Sequence, residues 1–169
     1  MRSHSRRTAR ARRQSGQQGA GVNFFRSTIV NRIDKKGRVS VPADFRAALI
    51  SRGSNEFHAK PSEKFACIDS YGNDYVEAIL KKARDMDIDS DERREYLHMR
   101  FAPLISLSWD AEGRVVLPES LLAHAEISDA VAFVGIGDSF EIWNPARYQE
   151  WRAEMLSRTQ ARQRQGGGA

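Results

Sequence analysis

From Val22–Phe25 onwards, short apolar runs alternate with turn residues along the chain. Runs rich in β-branched residues and bounded by Asp and Gly are typical of strands joined in hairpins. Asp at the first position of such a turn can bond the backbone two residues on, and Gly at the last position can take positive φ. The pattern predicts two β-hairpins. The first has a strand at 27–33, a turn at Asp34–Gly37 and a return strand at Arg38–Val41. The second has a strand at 104–109, a turn at Asp110–Gly113 and a return strand at Arg114–Leu117.

A proline, a short helix and further apolar runs follow each hairpin. Pro42 and Pro118 end the return strands and suit the first turn of a helix, so we predict short helices in PADFRAALI and PESLLAHAE. Apolar runs then return as EFHA with KFACI, and as AVAFVGI with SFEIW. The second of these pairs carries a Gly137–Asp138 turn, which is typical of another hairpin.

The two halves match each other along the chain, which indicates an internal repeat. The turns share five identities in ten positions, pairing Asp34 with Asp110, Gly37 with Gly113, Arg38 with Arg114, Val39 with Val115 and Pro42 with Pro118. After a one-residue gap, FACID at 65–69 is predicted to match FEIWN at 140–144. One unit would bury too little apolar surface to be stable alone. We therefore expect an α+β fold in which two units pack face to face, close a small β-barrel and remove most open sheet edges.

Polar helices are expected at the periphery of this barrel. The segments DYVEAILKKARDM, SDERREYLHMRF and NPARYQEWRAEML each carry an apolar stripe at helical spacing. Ser90 and Asn144 are predicted N-caps, and Pro145 suits the first helical position. The stripes could pack on the barrel or on another subunit. The final stretch, SRTQARQRQGGGA, is expected to fray after about Arg158.

Positive charge is concentrated at the N-terminus. Residues 1–22 hold six arginines and no acid, so removing them from the 27 basic residues leaves 21 against 22 acidic residues, a body of −1. We expect this leader to be disordered. It is a nonspecific nucleic-acid arm, or a disordered leader without a binding role, or the product of a translation start assigned upstream of the physiological one. The single cysteine, and the lack of a secretory signal or an 18-residue apolar run, favour a cytoplasmic protein.

Catalytic and metal-binding patterns are missing from the sequence. The four histidines have no metal-ligand spacing, and there is no nucleophile elbow, Walker loop or dinucleotide fingerprint. Cys67 lies in an apolar run and is interpreted as an inert core thiol. The alternating acids at 85–91 lack the central Gly and closing Glu of a calcium loop, which favours a solvated interhelical loop. We therefore expect no enzyme, metal or cofactor.

The first hairpin turn carries a local positive charge. Arg32, Lys35, Lys36 and Arg38 lie within seven residues, against Asp34 alone. A two-stranded ribbon fits the DNA major groove, where lysines can neutralise phosphates and an arginine can donate to guanine O6 and N7. Asp34 has the wrong sign for a phosphate contact, so we expect it to hold the turn and orient Arg38. The alternative is an ordinary exposed basic hairpin.

The second turn is less basic, because Asp110, Glu112 and Arg114 sum to −1. Arg114 is therefore the weaker candidate for DNA contact. A body of net charge −1 binds DNA poorly as a single copy, whereas several copies of the first turn on one face would bind by avidity. The charge pattern therefore predicts a homo-oligomer.

The duplicated turn, D-x-x-G-R followed by two alternating hydrophobic residues and Pro, resembles that of the MraZ family of bacterial transcriptional regulators. FFRSTIVNRIDKKGRVSVPADFR is similar to the start of such proteins, and DAEGRVVLPESLLAHAEI with VAFVGIGDSFEIWNPARYQEW to their second half, so the resemblance covers about residues 24–152. It implies two SpoVT/AbrB-like swapped-hairpin units per chain and ring-like oligomers. It also implies binding to repeated guanine-rich double-stranded DNA sites upstream of the division and cell-wall gene cluster, by a cytoplasmic, nucleoid-associated protein.

Carried over by position, the family's Asp and Arg fall on Asp34 and Arg38, and on Asp110 and Arg114. Lys36 occupies the basic position before the glycine, whereas the second unit departs from the pattern with Glu112. The Arg-rich leader is another departure, since members usually begin near the Phe–Arg pair. The predicted DNA-contact residues are Arg38, Lys36, Lys35, Arg32 and, in second place, Arg114; the predicted turn-structuring residues are Asp34, Gly37, Asp110 and Gly113.

The predicted domain organisation has five parts: a disordered leader at 1–22, a first AbrB-like unit at 23–76, a helical linker at 77–103, a second AbrB-like unit at 104–148, and a C-terminal helix with a disordered tail at 149–169. The alternative function is an antitoxin-like or other protein-interaction module of the same fold that binds a partner protein through its helices. The internal duplication argues against it, because such antitoxins carry one hairpin unit and a disordered tail.

Overall fold

The computed structural model describes residues 23–167, so the predicted disorder of residues 1–22 lies outside it. The fold is α+β with antiparallel strands. The strands are β1 (Thr28–Arg32), β2 (Arg38–Ser40), β3 (Glu56–Pro61), β4 (Cys67–Tyr71), β5 (Ile105–Ser108), β6 (Arg114–Val116), β7 (Ala130–Gly135) and β8 (Phe140–Trp143). The helices are α1 (Ala43–Ser51), α2 (Asn73–Arg84), α3 (Asp91–Arg100), α4 (Glu119–His124) and α5 (Pro145–Gly166).

Strands of the two units are interleaved. The six-stranded sheet has the order β1-β7-β8-β4-β3-β5, and β2 pairs with β6 in a separate two-stranded ribbon. The β1 strand of the first unit pairs with β7 of the second, whereas β5 of the second unit pairs with β3 of the first. Neither unit could form this sheet alone, which explains why both halves are needed for one fold.

The closed barrel that the sequence led us to expect is not confirmed. Among the described strands, the six-stranded sheet is open, with β1 and β5 at its edges. The chain leaves each edge strand through a tight turn, and β2 and β6 then hydrogen-bond to each other rather than to the sheet. The two predicted hairpins, at 27–41 and 104–117, are therefore wrong as strand pairs, because β1 pairs with β7 and β5 with β3. Among the described strands, the β2–β6 ribbon is therefore not joined to either edge strand, β1 or β5, by a ladder of backbone hydrogen bonds.

The pairing registers relate the two halves by an approximate two-fold axis. In the ribbon, Val39 faces its repeat partner Val115. In the sheet, Asp69 faces Glu141. Helices α2 and α5 begin after Gly72 and Asn144, which are separated by the same 72 residues as Asp69 and Glu141. The spacing between the halves thus falls from 76 residues at Val39 and Val115 to 72 at Asp69 and Glu141. The predicted match of Asp69 with Asn144, which are 75 residues apart, is therefore wrong by three residues.

The described residues form two hydrophobic clusters. The larger cluster is built from both units, and Phe140 lies at its centre. Its side chain is fully buried. The ring centroids of four other phenylalanines lie close to that of Phe140: Phe25 at 5.0 Å, Phe57 at 5.3 Å, Phe45 at 5.2 Å and Phe133 at 6.4 Å. Val39 and Val115 close the same core from the inner side of the ribbon. The core therefore supports the ribbon directly.

The later helices cover little of the sheet. Helix α2 buries Ile79 and Ala83, α5 buries Tyr148 alone, and α3 buries no residue. The predicted N-caps are confirmed: the Ser90 hydroxyl accepts the N–H of Arg93, and the Asn144 amide oxygen accepts two backbone N–H groups of α5. Helix α5 continues to Gly166, beyond the predicted fraying point. None of the described helices is both long and apolar enough to cross a membrane.

Candidate nucleic-acid interface

The first turn is held together by one carboxylate. Oδ1 of Asp34 accepts the backbone N–H groups of Lys36 and Arg38, both at 2.9 Å. Oδ2 accepts Nε–H of Arg38 at 2.7 Å. Donation from the backbone N–H of Arg38 is the main reason that the pKa of Asp34 lies below its ordinary value. Gly37 closes the turn with φ +78°, a conformation that other L-residues rarely adopt.

The second turn repeats this geometry around Asp110. Its Oδ1 accepts the backbone N–H groups of Glu112 at 3.0 Å and Arg114 at 2.9 Å, and its Oδ2 accepts Nε–H of Arg114 at 3.0 Å. The backbone N–H of Arg114 again lowers the pKa of the aspartate, and the side-chain hydrogen bond to Asp110 raises the pKa of Arg114. Gly113 has φ +79°. Both turns therefore present an arginine whose direction is fixed by an aspartate four residues earlier.

The ribbon places both arginines on one surface. Arg38 lies directly opposite Val116, and Arg114 opposite Ser40. Side chains that lie directly opposite in an antiparallel pair point to the same side. Val39 and Val115 point the other way, into the core. We call the outward-facing set Arg38, Ser40, Arg114 and Val116 the ribbon face.

The two arginines differ in how many carboxylates hold them. Among the described residues, the only ion-pair partner of Arg38 is Asp34, which contacts Nε and leaves both terminal nitrogens without a partner. Nη2 of Arg114 lies 3.0 Å from Oδ2 of Asp110 and 2.8 Å from Oε2 of Glu112. Arg38 therefore has more donors available for bidentate contact with a base or a phosphate than Arg114 has.

The other predicted contact residues surround Arg38. Lys35 and Lys36 lie at the tip of the first turn, and Arg32 ends β1. All three side chains are exposed, and within residues 23–167 none of them forms an ion pair closer than 4.0 Å. The first turn thus displays a compact set of cations whose only local acid is already engaged by Arg38.

Arg46 of α1, which is not among the predicted contact residues, lies against the second turn. Its Nε–H donates to the carbonyl of Val41 at 3.2 Å. A Cβ atom built on Gly113 would lie 2.6 Å from Cζ of Arg46, whereas one built on Gly37 would meet no described residue within 4 Å apart from its neighbours in the chain. The repeat offers a signal for this difference, because the residue 76 positions after Arg46 is Leu122, a partly buried apolar residue.

A polar cluster on the sheet offers no comparable surface. Cys67, Asp69 and Glu141 present ligand atoms within 4.8 Å of one another. Burial raises the pKa values of all three, and the buried Nζ of Lys60 lies 3.7 Å from Oδ2 of Asp69. A cation would compete with that ammonium group, so this chemistry is a poor match for a metal site. Asp85, Asp87 and Asp89 are exposed in the loop between α2 and α3, and Asp91 is the exposed first residue of α3.

Known proteins are similar to this chain over most of its length. A family model described as "MraZ protein, putative antitoxin-like" matches residues 101–166. The chain is similar to the transcriptional regulator MraZ of Rickettsia bellii (strain OSU 85-389), with 43% identity over 133 residues that cover 78% of this chain and 89% of that protein. It is also similar to the proteins of the same name from Rickettsia peacockii (strain Rustic) and Rickettsia rickettsii (strain Sheila Smith), with 42% and 41% identity over 130 residues that cover 77% of this chain and 87% of each relative.

Proposed function

The chain belongs to the MraZ family of transcriptional regulators, and on this premise we propose that it binds double-stranded DNA sequence-specifically through the first turn and the ribbon face. Arg38 contacts guanine, and Lys35, Lys36 and Arg32 contact phosphates. Arg114 makes a weaker contact, because Glu112 occupies part of its guanidinium group. The site regulated is the DNA upstream of the division and cell-wall gene cluster, where a nucleoid-associated cytoplasmic protein would act.

The observation that carries this proposal is the excess of basic side chains in the first turn and the way in which Asp34 holds Arg38. Its four basic side chains face a single carboxylate, and that carboxylate fixes Arg38 without using its terminal nitrogens. Preorganised donors lose little conformational freedom when they bind. A two-stranded ribbon also has the width that the major groove admits. Exposed lysines at the tip then neutralise the phosphates that flank the groove.

The test compares Arg38→Ala with Arg94→Ala. Both variants lose one arginine charge, but Arg94 is an exposed residue of α3 and belongs neither to the first turn nor to the ribbon face. The probe is a duplex selected by the wild-type chain from a random library. Loss of a bidentate guanine contact is expected to weaken binding by about 1–3 kcal/mol per engaged subunit for Arg38→Ala, with little change for Arg94→Ala.

Folding and assembly serve as the control. The Asp34–Arg38 pair is exposed to solvent, which screens its attraction, so removing it is expected to change the stability little. Unchanged far-UV circular dichroism and unchanged mass in solution would therefore accompany the loss of affinity. Equal affinity for the two variants, or selection of no duplex by the wild type, would contradict the proposed function.

We propose that the protein acts as a ring-like homo-oligomer of chains that each contain two AbrB-like units, at 23–76 and 104–148, joined by the α2–α3 linker. The exchange of β1 and β5 between the halves supports a swapped-hairpin description of these units. Helix α3 buries no residue, and Met99 of α3 and Leu156 of α5 are exposed, which leaves these two apolar side chains for a neighbouring subunit. Light scattering on the purified chain tests this: a monomer would contradict it.

The same two helices favour one alternative, an antitoxin-like module that binds a different protein. In that case Met99 and Leu156, which are exposed on α3 and α5, would contact the partner. Replacing both with glutamine separates the possibilities. Loss of self-assembly supports the homo-oligomer, whereas intact assembly leaves these helices available for another protein.

A further inference from the structure

The ribbon face carries one apolar side chain beside an arginine. Val116 is 57% exposed and lies directly opposite Arg38. The Cβ atoms of such opposite residues are about 4.5–5.5 Å apart. An apolar side chain and a cationic donor are therefore presented together, on the surface that the proposed function places in the major groove.

The fold itself does not require an apolar residue at this position. The two-fold relation makes Val116 the counterpart of Ser40, and both residues end a three-residue strand and face outward. Serine is accommodated at the symmetric position, where its carbonyl accepts a hydrogen bond from the amide of Asn31 at 2.7 Å. The core is built from the residues that precede them, Val39 and Val115. Core packing therefore does not account for the valine.

Resting on the proposed DNA-binding function, we propose that Val116 contacts the 5-methyl group of a pyrimidine in the major groove, next to the base pair that Arg38 contacts. The methyl group is the only apolar feature that base edges present there, and apolar side chains read it in direct contact. The Cβ spacing of Arg38 and Val116, about 4.5–5.5 Å, lies between one and two rises of about 3.4 Å per base pair, so long side chains can reach neighbouring base pairs. Thymine and 5-methylcytosine both carry this group.

The contact of Val116 with a methyl group also makes the two halves of the ribbon face chemically different. Arg38 is accompanied by a methyl-contacting valine, whereas Arg114 is accompanied by Ser40, whose hydroxyl can bond to any base. The backbone of the ribbon is approximately two-fold symmetric, but the side chains at the symmetric positions, Val116 and Ser40, differ. A duplex placed across the ribbon would be read in one orientation and disfavoured in the other.

The test removes the methyl group from the DNA and the valine from the protein. In the duplex selected by the wild-type chain, each thymine is replaced in turn by deoxyuridine, which differs only by the 5-methyl group. At one thymine per engaged ribbon, this change is expected to weaken wild-type binding about fourfold, as for one buried methyl group. Val116→Ser is expected to bind the thymine and deoxyuridine duplexes equally.

Two further arms identify the source of the methyl group and control for strand structure. At the same position, the wild type is expected to prefer 5-methylcytosine over cytosine by a similar factor, and Val116→Ser is expected to show no preference. Ser40→Ala alters the symmetric position and should keep the wild-type discrimination between thymine and deoxyuridine. Circular dichroism and mass in solution check that each variant folds and assembles.

The possible results separate the inference from the function on which it rests. Discrimination that survives Val116→Ser, or a selected duplex in which no thymine is sensitive to deoxyuridine, overturns the contact while Arg38-dependent binding stands. Failure of the wild type to select any duplex overturns the DNA-binding function, and the contact with it.

Discussion

Gly37 and Gly113 occupy the same position in the two turns, and alanine substitution separates what each turn requires. Both have positive φ, +78° and +79°. A Cβ atom in this conformation approaches the following carbonyl oxygen, which costs about 1–2 kcal/mol. At Gly37 the added Cβ would meet no atom of residues 23–167 within 4 Å, apart from its own neighbours in the chain. The free energy of unfolding of Gly37→Ala is therefore expected to fall by about 1–2 kcal/mol.

Gly113→Ala meets an additional obstacle. Its Cβ would lie 2.6 Å from Cζ and 2.7 Å from Nε of Arg46, so the guanidinium group must move away. That movement breaks the hydrogen bond from Nε to the Val41 carbonyl, which contributes about 0.5–1.5 kcal/mol. We expect Gly113→Ala to be more destabilising than Gly37→Ala by about 1 kcal/mol.

Urea unfolding at one fixed protomer concentration measures both variants, because oligomer stability depends on concentration. The same pair is then measured in an Arg46→Ala background, where the obstacle is gone and the two glycine substitutions should cost the same. Equal costs in the wild-type background, or a difference that persists without Arg46, would refute the role given to this contact.

Three further predictions concern the core, a helix cap and a buried acid. Phe140→Ala is expected to destabilise the protein by about 3–5 kcal/mol in urea unfolding, because the buried ring contacts the phenylalanines of both units; a loss below about 1 kcal/mol would contradict a shared core. Asn144→Ala is expected to cost about 1 kcal/mol, because the first N–H groups of α5 lose their acceptor, whereas unchanged stability would argue against that cap. Burial raises the pKa of Glu141 above 4.5, so folding favours its protonated form and the free energy of unfolding falls as pH rises from 4.5 through the folded-state pKa. Glu141→Gln should make this fall shallower in a pH series, and an unchanged slope would be inconsistent with the raised pKa.

Local chemistry made the turns predictable from the sequence. The aspartate, the glycine and the arginine of each turn act within five residues, and their roles follow from hydrogen-bonding capacity and backbone freedom. The helix caps at Ser90 and Asn144 are local in the same sense. Each of these features depends on neighbours in the chain, so the residue types alone were sufficient.

The pairing of strands that lie far apart in the chain was not predictable from the local residue types. Nothing in the composition of β1 indicates that it pairs with β7, about 100 residues later, or that the six-stranded sheet stays open. The three-residue slip at Asp69 arose because short apolar runs can be aligned in more than one register. The contact of Arg46 with Gly113 likewise depends on how α1 lies against the other unit.

The end of α5 was missed for a different reason. Beyond Leu156 the helix has no apolar stripe, and every residue from Arg158 to Gly166 is exposed. A polar stretch without periodicity is typical of disorder. Its alanine, arginine and glutamine residues nevertheless have good helix propensity, and the helix continues from a well-capped start.

The salt dependence of duplex binding tests most directly whether a cationic turn, repeated by assembly, makes the contact with DNA. For the assembled wild type, log K is expected to fall linearly and steeply with log salt. Replacing Lys35 and Lys36 with alanine should make that slope shallower by about two for each engaged protomer. An unchanged slope in the lysine variant, or tight binding by a protein that native mass spectrometry shows to be monomeric, would contradict this account.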